Sequence, residues 1–182
     1  VAYSAWVDGN SALRQRLGEL QSGADNGVWV RMFGGKLGSD EFTNKYKTYQ
    51  LGYDVKAGDW LIGAAYEYTD GSLNYTSGNG ENKIGAVSLY GTLQGKDHSA
   101  LDIVLKRGRI YGDVDAYGKY SDNGDYSTDA ASFGVEYSKR FDAGNDVFVE
   151  PQLQLTYGRI DGYGYRSAKG VSVAYDDINS LI

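Results

Sequence analysis

Long stretches of alternating polar and apolar residues are the feature that most narrows what this chain can fold into. In FVEPQLQLTYG, residues 148–158, Val149, Leu153 and Leu155 share one parity, while the amides and the carboxylate share the other. Similar extended segments lie near residues 27–37, 46–56, 60–70, 82–93, 100–111, 130–142 and 147–160. Each is about ten residues or longer, whereas ordinary strands average five or six. The pattern predicts long strands with one polar and one apolar face.

The connections between these segments alternate in length. Short connections span 57–59, 94–99 and 142–146, and longer ones, rich in Gly, Asp, Asn and Ser, span 38–45, 71–81, 112–128 and 161–170. In an up-and-down barrel of the outer-membrane type, short turns collect on one side and long loops on the other. A soluble sandwich gives no reason for that order. We therefore predict an all-β fold, a transmembrane up-and-down antiparallel β-barrel.

The two faces of the predicted strands differ in chemistry. One face is continuous and apolar, whereas the opposite face carries charged residues, amides and glycines. In a soluble barrel the apolar face would point inward, but in a membrane barrel it meets lipid and the polar face lines a wet lumen. The residues that we predict to face the lumen are Arg31, Asp54, Glu67, Lys106, Glu136, Glu150 and Gln152.

Aromatic residues and a proline add detail to the predicted strands. Tyrosines near strand ends suit an aromatic girdle at the membrane interface. The tyrosines in question are Tyr66, Tyr68, Tyr90, Tyr111 and Tyr157. Pro151 is the only proline of the chain, and because it cannot donate to a strand ladder we expect a bulge or an edge there.

Composition excludes several kinds of partner and site. The chain of 182 residues has a net charge of −6 and a pI near 4.7, so we predict no nucleic-acid partner. It has no cysteine, which removes disulfides, thiolate metal sites and a cysteine nucleophile. Asp113, Asp115 and Gly118 weakly resemble a calcium loop, but Gly124 stands where that loop needs a glutamate. We predict no metal site.

The only histidine, His98, does not point to catalysis. It stands in the short connection between Asp97 and Ser99, so the three residue types of a hydrolytic triad are present. Neighbours in sequence cannot converge their side chains in the geometry of a triad. Paired carboxylates on the lumen face are better explained as charge pairs than as a glycosidase site. We predict that the chain is not an enzyme and needs no cofactor.

Several segments of the chain resemble the translocator domain of monomeric autotransporters, the proteins of type V secretion. The segments are ALRQRLGEL, GVWVRMFGG, YQLGYDVKAGDWLIGAAYEYTDG, LDIVLKRGRI and FVEPQLQLTYGRI. The resemblance implies a twelve-stranded barrel, of which seven to eight strands are present here, with a helix threaded through its pore. It also implies that an N-terminal passenger is exported to the cell surface of a Gram-negative (diderm) bacterium.

The resemblance carries further expectations. The barrel would lie in outer-membrane lipid, be inserted by the barrel-assembly machinery and be monomeric when complete. We expect the barrel to continue past residue 182 and the chain to be part of a longer protein. A subset of the family cleaves its passenger at an Asn-Asn pair in the pore helix, where this chain has Asn10-Ser11. Autocleavage is therefore not predicted.

A leucine-striped segment precedes the first strand. SALRQRLGEL, residues 11–20, spaces Leu13, Leu17 and Leu20 as one face of a helix, with Asn10 or Ser11 as its N-cap. We predict residues 1–24 to be a pore helix and linker and residues 25–182 to be the N-terminal portion of the barrel. The predicted pore-helix residues are Leu13, Arg14, Arg16, Leu17 and Glu19.

The role of the helix has two readings. If it plugs an acidic lumen, its arginines should meet carboxylates among Glu67, Glu136 and Glu150. Alternatively, the leucine stripe packs on a neighbouring core or belongs to the stem of the passenger.

A different function also stays open, an outer-membrane adhesin or ligand-binding barrel that acts through its long loops. Loop tyrosines keep that function open, namely Tyr117, Tyr120, Tyr126 and Tyr163. A diffusion porin would not explain the leucine stripe.

Overall fold

The computed structural model describes residues 2–38, 42–117, 121–144 and 147–181. It contains one helix, α1 (Ala2–Gln21), which is not apolar enough to cross a membrane, and no other helix occurs in those ranges. The strands are β1 (Val28–Gly38), β2 (Phe42–Ala57), β3 (Trp60–Tyr75), β4 (Gly78–Gln94), β5 (Ser99–Ala116), β6 (Asp122–Lys139), β7 (Phe141–Gly144), β8 (Val147–Val149), β9 (Gln152–Ile160), β10 (Tyr163–Arg166), β11 (Ser172–Tyr175) and β12 (Ile178–Leu181).

Eight of the strands form one antiparallel sheet. Its order is β1-β2-β3-β4-β5-β6-β9-β12, so each strand pairs with the strand of this sheet that follows it along the chain. The remaining strands form two-stranded ribbons, β7 with β8 and β10 with β11. Among the described residues, β1 and β12 do not pair with each other, and the sheet stays open there. The prediction of an all-β, up-and-down antiparallel fold with an N-terminal helix is confirmed.

Two of the predicted long loops are mostly strand. β3 runs to Tyr75 and β4 begins at Gly78, which leaves a two-residue turn inside the predicted loop 71–81. β5 and β6 likewise extend to Ala116 and from Asp122 into the predicted loop 112–128. The prediction was wrong because turn-forming residue types do not end a strand while its neighbour still pairs with its backbone. The long connections are therefore tall hairpins.

Pro151 divides the last predicted strand. The expected segment 147–160 appears as β8 and β9, and Pro151 lies between them, where it accepts a hydrogen bond from Lys139 N at 3.3 Å. Because proline has no N–H, the ladder cannot continue through it, and the facing segment is interrupted after Lys139 as well. Glu150, predicted on the lumen face of a strand, consequently lies outside β9 and is exposed.

The helix begins much earlier than the leucine stripe predicts. Asn10 and Ser11, expected as N-caps, lie inside α1, where Ser11 Oγ donates to the Val7 carbonyl. Tertiary contacts of Ala5 and Trp6 with the sheet extend the helix towards Ala2. The helix ends at Gln21, and Gly23 shortly after it has a φ of +93°, the left-handed conformation that closes many helices.

The sheet curves around α1. The helix contacts β2, β3, β4 and β5, and its side chains also bond to Arg31 on β1, Ser132 on β6 and Thr156 on β9. A single helix can touch strands that lie so far apart in the sheet order only if the sheet wraps around it. We call the face of the sheet that meets α1 the inner face and the opposite one the outer face.

Candidate functional site

Burial on the two faces is the reverse of that in a soluble protein. On the outer face, Val28 and Val30 are each 76% exposed and Leu89 is 60% exposed. On the inner face, Glu67 is 1% exposed and Asp54 is fully buried. Charged residues are rarely buried without partners, and continuous apolar surface is rarely left to water. An outer face of this kind meets lipid, as in membrane barrels.

A row of charged residues bounds the apolar outer face on the side of the tall hairpins. Lys47 lies opposite Asp70, which lies opposite Lys83, and Arg109 pairs with Asp129 further along the sheet. The short turns bound the face on the other side, beginning with the turn between Ala57 and Trp60. About ten residues of each strand lie between these limits, the length that a tilted strand needs to cross a bilayer.

Four of the five tyrosines predicted for the girdle lie on the outer face. Tyr66 and Tyr111 are each 52% exposed on the outer face. Tyr90 instead lies on the inner face, is only 4% exposed and donates a hydrogen bond to Asp54 Oδ2 at 2.9 Å. The girdle prediction for Tyr90 is therefore wrong, because its parity along β4 is that of the buried Ser88 and not that of Leu89.

A buried ion pair between Arg16 and Asp54 joins the helix to the sheet. Arg16 Nε donates to Asp54 Oδ2 and Arg16 Nη2 donates to Asp54 Oδ1, both at 2.9 Å. Tyr90 and the Gly27 N–H donate to the same carboxylate, at 2.9 Å and 3.0 Å. The fork of the guanidinium matches the two carboxylate oxygens, so that the pair fixes both distance and orientation. This contact ties α1 to β2.

Aromatic and ionic contacts surround that pair. The Trp29 ring lies near two guanidinium groups, 5.9 Å from Arg16 Cζ and 5.8 Å from Arg31 Cζ, and its Nε1 donates to Tyr90. Arg31 donates to Glu19 Oε1 at 2.6 Å and to the Ala12 carbonyl. The C-terminal half of α1 is thus attached to β1, β2 and β4.

A second buried ion pair lies beside the N-terminal half of α1. Lys106 Nζ donates to Glu67 Oε1 at 2.7 Å, and Gln50 Nε2 donates to Glu67 Oε2 at 2.6 Å. The ion-pair partners predicted for Arg16 were therefore wrong, since Glu67 pairs with Lys106 and Arg16 pairs with Asp54. Arg14 does interact electrostatically with Glu136, one of the predicted carboxylates. Parity places a residue on a face, but it does not choose among several carboxylates on that face.

The remaining predicted site residues are less tightly held. Arg14 donates to Thr156 on β9, and Leu13 and Leu17 are buried in a cluster against Trp29 and Tyr90. Glu136 is half-buried on β6, and Gln152 is exposed at the start of β9.

Sequence reasoning missed the inner aromatic residues, although a signal for them exists. Gly52 lies opposite Trp29, and Gly63 lies opposite Tyr90. A β-carbon on either glycine would overlap the facing ring. A glycine on the inner face, opposite an aromatic residue of the neighbouring strand, could therefore have indicated that Trp29 and Tyr90 point inward.

The hairpin tyrosines pack among themselves. Tyr126 and Tyr163 stack with ring centroids 4.2 Å apart, and Tyr163 lies 4.9 Å from Tyr175. Tyr126 also packs against the cluster that contains Trp6. Tyr117 is exposed, and Tyr120 lies outside the described residues. Rings engaged in this packing do not favour the ligand-binding alternative.

The Asp97-His98-Ser99 sequence forms a turn. His98 has a φ of 58°, Ser99 Oγ donates to Asp97 at 2.6 Å, and Lys139 Nζ donates to Asp97 at 2.8 Å. The Lys139 ammonium holds the pKa of Asp97 well below its usual range. Within the described ranges, no three His, Cys, Asp or Glu residues are grouped to hold a metal, and Gly118 of the calcium-like stretch lies outside those ranges.

An up-and-down antiparallel sheet that is apolar outside, polar inside and wrapped around a helix defines part of a transmembrane β-barrel with a helix in its pore. The chain belongs to the Autotransporter beta-domain family, whose sequence model matches residues 28–182. This confirms the resemblance to autotransporter translocators.

The relatives agree with that assignment. The chain is 30% identical to the pertactin autotransporter of Bordetella parapertussis, with all of the chain and 21% of the relative aligned. It is 30% identical to the BrkA autotransporter of Bordetella pertussis, over 92% of the chain and 18% of the relative. The chain thus spans about a fifth of the length of these relatives. SepA of Shigella flexneri, named a serine protease, is matched over only 14% of its length, and the β-domain fold is itself non-catalytic.

Two solved structures share the fold. The β domain of the Bordetella autotransporter BrkA superposes with a TM-score of 0.71 at 28% identity, over 86% of this chain and 67% of that one. The translocator domain of NalP from Neisseria meningitidis superposes with a TM-score of 0.70, over 99% of this chain and 67% of that one. At 13% identity the second likeness concerns the fold alone.

Proposed function

We propose that this chain is the N-terminal portion of an outer-membrane translocator that anchors an N-terminal passenger and helps to export it to the cell surface. Residues 1–24 would be the pore helix and linker, and residues 25–182 the barrel portion. One observation carries the proposal: a helix is fixed by a buried ion pair inside a sheet whose outer face is apolar. The family's Gram-negative relatives support the outer membrane as the location.

The direction of α1 suits export. Its first turns, with Trp6, pack beside Ile84 and Ile110, towards the tall hairpins. Its last residue, Gln21, donates to Thr92 and Asp102, near the short turns. Any segment N-terminal to α1 would therefore emerge on the side of the tall hairpins. In membrane barrels the larger connections face the exterior, so that side corresponds to the cell surface.

Closure of the barrel needs further strands. The backbone groups of β1 and β12 along the open edges have no strand partner among the described residues. Unpaired backbone groups are costly in lipid, and only closed barrels avoid them. We propose that the full-length protein completes the barrel with further strands, that the barrel-assembly machinery inserts it, and that the closed barrel is a monomer.

Single-channel conductance tests whether the helix occupies the pore, as this function requires. With α1 in place, its side chains and the inner face fill the pore, and the barrel should conduct poorly. Deleting residues 1–20 from the complete β-domain should raise single-channel conductance in planar bilayers sharply, and Arg14→Glu combined with Arg16→Glu should raise it partially. Equal conductance of the deleted and intact β-domains would refute the proposal that the helix occupies the pore.

A further inference from the structure

The helix α1 packs closely against the barrel wall at Gly9. The Gly9 carbonyl accepts a hydrogen bond from Gln50 Nε2 at 3.2 Å. A β-carbon built on Gly9 would overlap the Glu67 carboxylate and the Lys106 ammonium. Gly18, the other glycine inside α1, has open space around it. Glycine disfavours a helix by about 1 kcal/mol relative to alanine, and only at position 9 does the wall require it.

The wall at this point cannot easily yield. The side chains of Lys106 and Glu67 are 0% and 2% exposed. Both Glu67 oxygens are engaged, Oε1 by Lys106 and Oε2 by Gln50. Moving either charged group aside would break a buried, charge-assisted hydrogen bond, which is costlier than breaking one in water.

The Lys106 ammonium also contacts Trp6. Lys106 Nζ donates to the Trp6 carbonyl at 3.3 Å and lies 4.3 Å from the centre of the Trp6 ring. Cation–π attraction of this kind strengthens when the cation is withdrawn from water. Trp6 and Gly9 are three residues apart, so they lie on one side of the helix. The wall thus contacts an aromatic residue and a glycine in one helical turn.

We propose that Gln50, Glu67 and Lys106 form a recognition site for a helical turn of the type Trp-x-x-Gly, and that this site fixes the position at which the exported chain comes to rest in the pore. The proposal rests on the export function proposed above. The site deepens that function by adding selectivity: the pore accepts one stretch of sequence as its resting segment.

Neighbouring registers are disfavoured by the same groups. A shift by one residue moves the helix about 1.5 Å along its axis and turns it by about 100°. To bring a neighbour of Gly9 to the wall, the shift would place either Asp8 or Asn10 there. Asp8 would bring a second carboxylate to Glu67, and Asn10 would bring a side chain to the place where even a β-carbon overlaps Glu67 and Lys106. Selectivity then comes from rejecting wrong registers as much as from binding the right one.

Cysteine cross-linking in the full-length protein tests the register. Gln21 Nε2 and Thr92 Oγ1 are 3.0 Å apart and lie far from position 9, and residues 1–182 contain no cysteine that could compete. Gln21→Cys with Thr92→Cys should form a cross-link rapidly with a short bifunctional thiol reagent, which spans the distance that the glutamine side chain spans in the native protein. Adding Gly9→Val should slow its formation at least tenfold, and Gly9→Ala should slow it less. Gly18→Val and Gly18→Ala are the matched controls, because they change helix propensity equally, and they should leave the rate unchanged.

A second background isolates the wall. In Glu67→Ala with Lys106→Ala, the groups that meet Gly9 are gone, and Gly9→Val should cross-link as fast as its parent. Heat-modifiable migration on gels reports whether each variant folds. Unchanged cross-linking in Gly9→Val, or equal slowing in Gly18→Val, would overturn the recognition site even if the helix plugs the pore. High conductance of the intact β-domain together with a fast cross-link between positions 21 and 92 would instead refute the plug alone, because the helix would then rest in its register without closing the pore.

Discussion

Breaking the Arg16–Asp54 pair should release the helix from the barrel wall. We consider Arg16→Gln in the complete β-domain, because glutamine keeps a polar side chain of similar reach but loses the charge and the fork. Asp54, fully buried, would then keep only the hydrogen bonds from Tyr90 and Gly27. An uncompensated carboxylate would remain beside the helix.

The expected magnitude follows from burial. Removing one partner of a buried ion pair costs about 3–5 kcal/mol, mostly because the other charge is left without compensation. The pore admits some water once the helix moves, so we expect the lower end, about 3 kcal/mol. Since about 1.4 kcal/mol is a factor of ten, the equilibrium between undocked and docked helix should rise by roughly 100-fold. Combining Arg16→Gln with Asp54→Asn should cost less than the sum of the single changes.

Single-channel recording measures this equilibrium, because each undocking event opens the pore. Open probability should rise by about two orders of magnitude in Arg16→Gln, as the free-energy estimate requires. Arg109→Gln is the matched control. Arg109 also bonds its aspartate through Nε and Nη2, to Asp129 at 2.7 Å and 3.1 Å, but on the exposed outer face.

The comparison between the two arginines decides the outcome. Surface pairs contribute little to stability, so Arg109→Gln should leave the open probability as it was. If Arg16→Gln and Arg109→Gln gave the same open probability, or if Arg16→Gln left the channel closed, the buried pair would not hold the helix.

Three further predictions concern the lipid face, closure and pH. Leu155→Arg, on the outer face near the bilayer midplane, should destabilise the complete barrel by about 2–4 kcal/mol in urea unfolding from lipid vesicles, whereas Gln154→Arg on the inner face should be much milder; equal costs would reject the assignment of faces. Residues 1–182 alone should not insert as a monomer, because their sheet has open edges, and heat-modifiable migration of that fragment would contradict this. Because the pKa of Asp97 is lowered in the folded state, its bond to Lys139 should be complete above the ordinary carboxyl value of 3.8 and be lost only as the pH falls well below it; an NMR titration of Asp97 with a midpoint at or above 3.8 would disprove the bond.

Much of the fold can be predicted from the sequence because the signals are local. Alternation with a period of two residues places Leu51 and Asp54 on opposite faces whatever the rest of the chain does. The excess length of the alternating segments indicates a membrane crossing, and the leucine stripe indicates a helix. Strand ends are less certain, since backbone pairing carries β3 and β4 past residues that favour turns.

The partners across the pore depend on structure alone. Arg16 on α1 and Asp54 on β2 are 38 positions apart. Which carboxylate meets Arg16 depends on the rotation and height of α1 within the sheet, and no stretch of sequence encodes either. Tyr90 shows the same limit, since tyrosine suits a membrane interface as well as a buried hydrogen bond, and only its partners Trp29 and Asp54 distinguish the two.

The sequence by itself determined that the chain builds long two-faced strands behind a helix, and which face of each strand meets lipid. The tertiary structure decided where the helix rests and which inner-face residues hold it. The physical reason is that alternation is a property of each strand alone, whereas a buried ion pair or a fitted glycine exists only after distant strands have curved around the helix.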